Sequence, residues 1–524
     1  MFVVKALKRY TLSVIIAKSF SMVLFRQQVT KNILFSWLSF TVRIAVSFLF
    51  IPYIASTLGE SRYGVWVIVF QTLGYFSLLD FGLERALSKH LAHYLSKQDF
   101  GRINRLLSSA TALYLGLGTV AIFAAWIVAH YFFGYFQIDD PAVFEEGKTA
   151  LLIVGLYIGL RFYLVPFGGS LGGFQRHDLA NLLQIGEDII RTLAMVWLLA
   201  NGYGLATLAM AILITSLARY FAGLLLLKRL HPETNFSPAL VTKTDSDELL
   251  NYSKISFGIT ITWLIIFNTD SVILGLFISS AAAGLFAPAM QLFLQIRNVI
   301  NAIATPLITA VSHLGASGRD KSIAETYLKG VRYASYFSFF ASTVAYIYAE
   351  PFVALWLPPS FAPTADIIKV LAVGSAFFVP QIIGNAVLFG IERHSKILQV
   401  TAIEAALKIA LAVILVGDYG LLGIAWANTI PQIILYSAIF PMMVSKELEL
   451  SARSVIGEML KFGLISCFIA GLVGAGFTRT WVADNWLMLV IQVGTCTFVS
   501  GLVFYFLIDK DEKLWLKTLF KRAL

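Results

Sequence analysis

Apolar residues in this chain neither alternate nor form narrow stripes. They come in runs of roughly twenty, each closed by a short polar turn, as expected of helices that cross a bilayer. Runs of sufficient length fall at about 33–57, 63–84, 106–130, 148–170, 179–200, 204–227, 253–278, 283–311, 330–349, 364–389, 397–416, 420–444, 457–478 and 486–508, about fourteen in all. The connections between them stay near or below roughly 25 residues, which leaves no room for a soluble domain outside the bundle. The expected fold is therefore an all-α polytopic membrane protein.

Composition agrees. Of 524 residues, 58% are hydrophobic and 13% charged, against roughly 25% charged in a soluble domain. Mean hydropathy is +0.78. The net charge of +10 acquires meaning once it is located. Roughly thirty of the Lys and Arg fall in the N-terminus, the even-to-odd loops and the C-terminal tail, while Arg62, Lys148 and Arg479 stand in the opposite loops. That asymmetry orients the bundle with both termini cytoplasmic and makes nucleic acid a poor candidate partner. The first thirty residues, with Lys5, Lys8, Arg9, Lys18 and Arg26, read as a cytoplasmic interfacial helix or as an upstream extension whose start is Met22.

Enzymatic and metal chemistry find little support. Cys467 and Cys496 lie in late apolar runs and are no obvious disulfide, and His90 with His93 lacks a third ligand for a metal. No Gly-rich Lys-Ser/Thr phosphate loop occurs, and paired carboxylates on one face are absent.

The chain contains an internal repeat. Gly173-Phe174-Gln175-Arg176-His177 recurs as Gly390-Ile391-Glu392-Arg393-His394, about 217 residues later, and at the same spacing Glu187 meets Glu404 and Arg191 meets Lys408. Tyr203-Gly204-Leu205 meets Tyr419-Gly420-Leu421, and Gly64-Val65-Trp66 meets Gly284-Leu285-Phe286. Six spans separate equivalent points, so the copies form a parallel pseudo-twofold pair, an arrangement typical of transporters. The expected organisation is a basic N-terminal segment 1–30, a first lobe 31–228, a linker 229–250, a second lobe 251–445, two further helices within 455–508, and a basic cytoplasmic tail 509–524.

Apart from those at cytoplasmic span ends, seven basic residues fall inside spans. Lys369 lies near an outer edge and can snorkel. Arg43, Arg161, Arg191, Arg219, Arg297 and Lys408 are central, and each would cost about 2.5–3.5 kcal/mol facing lipid, so they must face a polar interior. Glu187 with Arg191 and Glu404 with Lys408 are spaced i,i+4 in the favourable order, so each couple reads either as a strut or as part of a cavity lining. Arg43, Arg161, Arg219 and Arg297 have no such local mate, and read either as the lining of an anion-attracting cavity or as partners of distant carboxylates and carbonyls. Asp80 reads either as an inner gate contact or as a capping or kink residue beside Gly82. Asp270, in Asn268-Thr269-Asp270, is a candidate for proton or cation coupling. Gly168, Gly169, Gly172 and Gly173 read better as close helix packing or a hinge than as a phosphate cradle.

The segments Phe50-Ile51-Pro52, Leu58-Gly59-Glu60-Ser61-Arg62-Tyr63-Gly64-Val65-Trp66 and Tyr75-Phe76-Ser77-Leu78-Leu79-Asp80-Phe81-Gly82-Leu83 resemble the start of bacterial polysaccharide-unit (O-antigen, Wzx-type) flippases of the multidrug/oligosaccharidyl-lipid/polysaccharide exporter superfamily. Asn268 to Gly275, followed by Ala283-Gly284-Leu285-Phe286, is similar to that family's repeat of the same theme. The resemblance runs from about Thr30 to Asp509. It implies a transporter of the bacterial inner membrane, not an enzyme, that flips an undecaprenyl-pyrophosphate-linked oligosaccharide by alternating access of two six-helix lobes. It further implies a cationic cavity, for which Arg43, Arg161, Arg191, Arg219, Arg297 and Lys408 are the candidates. No cofactor is implied beyond a coupling proton or Na+, with Asp80, Asp270, Glu187 and Glu404 as candidate coupling or gating groups. Expected partners are the lipid-linked glycan, membrane lipids and other polysaccharide assembly proteins. The rival readings are a cation-coupled drug exporter of the same superfamily and a non-transporting scaffold of a glycan assembly complex.

Overall fold

The computed structural model describes residues 38, 40–72, 74–251, 254–481, 483–508 and 513. The expected N-terminal segment 1–30 and the tail 509–524, apart from Lys513, lie outside the described residues. The described chain is built from helices, here α1 (Phe40–Thr72), α2 (Leu83–Ser96), α3 (Phe100–Ile127), α4 (Pro141–Leu164), α5 (His177–Ala200), α6 (Leu205–Leu230), α7 (Lys243–Asn251), α8 (Lys254–Asn268), α9 (Asp270–Phe277), α10 (Ser280–Ala316), α11 (Asp320–Ile347), α12 (Ala349–Trp356), α13 (Thr364–Phe378), α14 (Gln381–Gly390), α15 (His394–Ile434), α16 (Phe440–Glu447), α17 (Ala452–Thr480) and α18 (Trp486–Leu507). Helix is the element an apolar run must adopt in lipid, because it satisfies each backbone group within its own segment.

Among the described residues, nine helices are long and apolar enough to cross a membrane, and up to eleven if each bent pair counts as one span. Two of the nine hold more than one expected span: Gly59 lies inside α1 at φ +72°, and Gly420 lies inside α15 at φ +55°. Both stand where the hydropathy pattern puts a loop between neighbouring runs, and only glycine takes such φ values freely. α5 is missing from the nine; it carries Glu187, Asp188 and Arg191 within its 24 residues. The expected fourteen spans are consistent with these helices.

The repeat is visible in the backbone. Gln175 and Glu392 adopt φ of 59° and 60°, the same left-handed turn in the two copies of the Gly-x-x-Arg-His motif, directly ahead of α5 and α15. Gln98 and Gly318, at φ of 55° and 65°, likewise precede α3 and α11.

Two compact units emerge. One comprises Met1–Tyr53, Leu79–Ala129 and Thr149–Lys254; the other comprises Ile54–Leu78, His130–Lys148 and Ile255–Leu524. In the first unit, α3 packs on α2 and α7, and α5 packs on α6. Gly168, on the turn Val165–Gly169 after α4, and Gly223 on α6 allow a close approach of that turn to α6, since a Cβ on Gly168 would stand 2.2 Å from the Tyr220 carbonyl oxygen. In the second unit, α11 packs along α17, and α13 along α15. Its core includes Val311, Tyr327, Val331, Val387, Tyr436 and Phe440, all essentially buried. Large apolar side chains such as Phe123, Trp197, Phe468 and Phe506 point outward, where a soluble protein would place polar groups; on a membrane helix they face lipid.

Polar breaks punctuate the second unit. α8 and α9 meet at 49° across Thr269, and α11 and α12 meet at 68° across Tyr348. Asn and Thr side chains compete for backbone hydrogen bonds, which weakens a helix at Asn268-Thr269.

Candidate functional site

The ionisable groups of the spans gather into a network in the first unit and into smaller separate groups in the second. In the first unit the network is built on α5 and α6. Glu187, buried, accepts from Ser216 at 2.5 Å and from Arg191 at 3.1 Å, and the Arg219 Nε lies 2.5 Å from its other oxygen. Asp188, one residue on and also buried, accepts from Arg191 at 2.5 Å and from Gln184 at 3.1 Å, and the Arg43 Nε lies 4.0 Å away. Tyr220 extends the network: its ring underlies the Arg219 guanidinium at 4.1 Å, and its hydroxyl accepts from Arg161 at 2.9 Å. Arg161 also donates to Glu84 at 3.4 Å. Four guanidiniums thus share three carboxylates and a tyrosine. The Arg43 side chain, 58% exposed, is the most open of them.

Three of the four arginines without a local mate therefore have distant carboxylate partners. The i,i+4 couple Glu187–Arg191 is made, but as part of a larger cluster in which Asp188 is equally central. Asp80 accepts from Tyr114 at 2.5 Å. It ends a short 3-10 turn, Tyr75–Asp80, followed by Phe81 at φ 49° and Gly82 at φ 77°, so it does sit at a kink.

The second unit differs. The equivalent couple Glu404–Lys408 is not the contact that forms. Glu404 accepts from Tyr436 at 2.5 Å, while the Lys408 ammonium lies 2.9 and 3.1 Å from the two oxygens of Asp270 and donates to the Ile266 carbonyl. Lys408, Asp270 and Glu404 are all buried. Asn428 donates to Asp270 at 3.0 Å and to the Ile424 carbonyl at 2.9 Å. The lysine chain is long enough to leave its own helix for a carboxylate released toward it by the break between α8 and α9.

Arg297 is the exception among the central cations. Its guanidinium stacks over Phe267 at 4.2 Å and Trp263 at 5.2 Å, and among the described residues no carboxylate is within ion-pair reach. It lines a cavity of about 30 Å³, the space of one water, together with Phe267, Ser375, Phe378, Asn428 and Gln432. A second, larger hollow of about 300 Å³ in the same unit is lined by Leu292, Ile296, Phe340, Val344, Tyr348 and Leu489, almost wholly apolar, with α18 contributing one wall.

A third cluster lies on α7, in the segment that joins the two sequence repeats. Glu248 accepts from Arg102 at 3.0 Å and Tyr94 at 3.2 Å, with the His90 Nδ1 at 3.0 Å. Asp245, buried, accepts from Thr242 at 2.5 Å and lies 3.3 Å from Arg102. Burial alone would raise the Glu248 carboxyl, but Arg102, His90 and Tyr94 hold it below the ordinary glutamate value. Burial lowers the His90 imidazole, and Lys89 and His93 add to that against the pull of Glu248.

Hydropathy reasoning passed over Tyr220, Tyr436, Asn428 and Glu84 as site residues. Asn428 carried a usable signal, an amide directly after the apolar stretch Gly423–Ala427 inside a span. The tyrosines carried none, because an aromatic in a span reads first as an interface anchor.

Among known proteins, the family described as "Polysaccharide biosynthesis protein" matches residues 29–312, just over half of the chain. A Bacillus subtilis (strain 168) protein named "Uncharacterized membrane protein EpsK" is 23% identical over 492 residues, covering 91% of this chain and 94% of its own length. The solved structure "Lipid II flippase MurJ, inward closed conformation" superimposes with a TM-score of 0.72 at 16% identity, covering 90% of this chain and 99% of its own. An inward-facing multidrug resistance MATE family transporter of the MOP superfamily reaches 0.62 at 13% identity, covering 84% and 100%. At these identities the solved structures bear on the fold.

Proposed function

The chain belongs to the polysaccharide biosynthesis protein family, and on that premise we propose that it flips an undecaprenyl-pyrophosphate-linked oligosaccharide from the inner to the outer leaflet of a bacterial inner membrane. It is a multi-pass membrane protein with the fold of the MurJ and MATE transporters. The observation that supports the reading is the set of guanidiniums held within the spans: four in the first unit that share Glu84, Glu187 and Asp188, and Arg297 held by aromatic faces with no carboxylate within ion-pair reach among the described residues. Planar guanidiniums fit pyrophosphate oxygens two at a time, and an arginine already desolvated gains the most from an arriving anion. The polyprenyl chain stays in lipid and uses the apolar hollow beside α18, whose walls are almost wholly apolar. Alternating access moves the headgroup, and both termini stay in the cytoplasm, as the roughly thirty-to-three bias of Lys and Arg requires.

The test is substitution to Ala at Arg43, Arg161, Arg219 and Arg297, singly and together, with glycan display at the cell surface as readout. Display should fall in each variant that retains wild-type abundance. Display at wild-type level in the fourfold variant would remove the cationic site.

A further inference from the structure

The Lys408 ammonium sits where a metal cation could sit. Around it are the two oxygens of Asp270 at 2.9 and 3.1 Å and the Ile266 carbonyl, which belongs to the last turn of α8, where helix carbonyls lose their in-helix donors. Asn428, 3% exposed, already touches Asp270 through its Nδ2, and its own Oδ1 has no hydrogen-bond partner among the described residues. The hydroxyl of Ser271, fully buried beside Asp270, is likewise unpartnered among the described residues. The groups on the ammonium are all oxygen, the Asp270 carboxylate and one carbonyl of a broken helix, with the unpartnered amide oxygen belonging to the Asn428 that touches Asp270. That is the chemistry of a hard cation. A single carboxylate balances a single charge, so the site suits a monovalent ion; a divalent one would leave an uncompensated buried charge.

We propose that Lys408 is a tethered cation filling a monovalent alkali-cation site made by Asp270 and Ile266 with Asn428 against Asp270, and that loss of its ammonium opens the site to free Na+ or K+. The broken helix then keeps a permanent counter-charge, and this unit changes conformation without taking up an ion at Asp270. The sequence equivalent in the first unit, Arg191, is spent on its own helix, bonding Glu187 and Asp188. Lys408 is thus held at a helix break, whereas its sequence equivalent Arg191 is not. The consequence for coupling rests on the transporter reading, whereas the binding event does not.

The test uses the purified full-length protein in nanodiscs, with thermal unfolding followed in NaCl, KCl and choline chloride at equal ionic strength. The wild-type protein should unfold at the same temperature in all three. Lys408→Ser should be destabilised in choline and recover with a saturable rise of about 2–4 °C in Na+ or K+. Lys408→Arg, which restores the charge, and Lys408→Met combined with Asp270→Asn, which removes both charges, should be indifferent to the ion. If Lys408→Ser can be purified only when extracted in NaCl or KCl, that is the same rescue read by yield. A saturable Na+ response of the wild-type protein that Asp270→Asn abolishes would overturn the proposal, and so would a Lys408→Ser protein that no alkali cation stabilises or recovers. An ion-indifferent Lys408→Ser that still displays glycan would remove the tethered cation and leave the flippase reading intact.

Discussion

Gly64 and Gly284, equivalent positions in the two copies of the repeat, pack directly on one another. A Cβ on Gly64 would stand 1.7 Å from the Ser280 carbonyl oxygen, and one on Gly284 would stand 2.5 Å from the Glu60 carbonyl oxygen. The Ser61 and Ser280 hydroxyls meet beside them at 3.1 Å, and Arg62 bonds Glu146 at 3.3 Å. A segment from the first half of the sequence is in this way built into the second compact unit.

Gly64→Ala should therefore destabilise the protein by about 1–3 kcal/mol, the usual range for overpacking, because backbone rather than a flexible side chain must yield. Thermal unfolding of the purified variant measures it. A cysteine pair at Ser61→Cys and Ser280→Cys should close under mild oxidant, stop glycan export, and release it on reduction. Export that continues with the bond formed would mean that this crossing does not move during the cycle.

The arginines should divide by what their loss leaves behind. Arg219→Ala deprives buried Glu187 of one of its two guanidinium partners, and since Arg191 remains the cost falls below the ~3–5 kcal/mol of a fully orphaned buried charge. Arg297→Ala removes stacking on Phe267 and Trp263, about 0.5–2 kcal/mol, and breaks no ion pair among the described residues. Arg297→Ala should accordingly reach normal abundance yet lose export, whereas Arg219→Ala should lose abundance and recover part of it when Glu187→Gln is added. Quantitative immunoblotting alongside glycan display separates the two outcomes.

The α7 clasp should weaken as the medium acidifies. Folding holds His90 and Glu248 both below their ordinary values, so the folded state binds fewer protons than the unfolded state, and stability rises with pH. The His90 contribution is lost as pH falls below about 6.5, and the Glu248 contribution as pH falls below about 4.3 and through its lowered folded value. Amide exchange of α7, corrected for intrinsic rates, should show protection dropping between pH 7.5 and 5.5. His90→Asn should remove that upper step and leave the lower one.

Filling the apolar hollow should affect the lipid and spare the fold. Ala341 and Ala345 line it on successive turns of α11, so Ala345→Phe narrows it without burying a polar group. The variant should keep its unfolding temperature within the error of the measurement and lose crosslinking to a photoactivatable polyprenyl phosphate.

Much of this architecture was legible before any coordinate. Runs of about twenty apolar residues announce spans because lipid offers the backbone no other partner, and the Gly-x-x-Arg-His repeat announces two copies because a left-handed turn at Gln175 and Glu392 tolerates few sequences. Partner choice was not legible. Lys408 has Glu404 one helical turn away, the arrangement that sequence spacing favours, yet it bonds Asp270, 138 residues distant in the chain, because a helix break presents a carboxylate and a carbonyl together. Arg161 and Arg219 looked unattached for the same reason: Glu84 and Glu187 reach them only through packing. The exchange of Ile54–Leu78 into the second unit left no mark on hydropathy, since apolar residues serve equally well against either set of neighbours.

The most direct measurement is the leaflet distribution of the lipid-linked oligosaccharide in cells depleted of this protein, read with an impermeant glycan-binding probe on right-side-out and inverted membrane vesicles. On depletion the oligosaccharide should accumulate in the inner leaflet, return to the outer leaflet with the wild-type chain, and stay inside with Arg297→Ala. An unchanged distribution in depleted cells would contradict flipping by this protein.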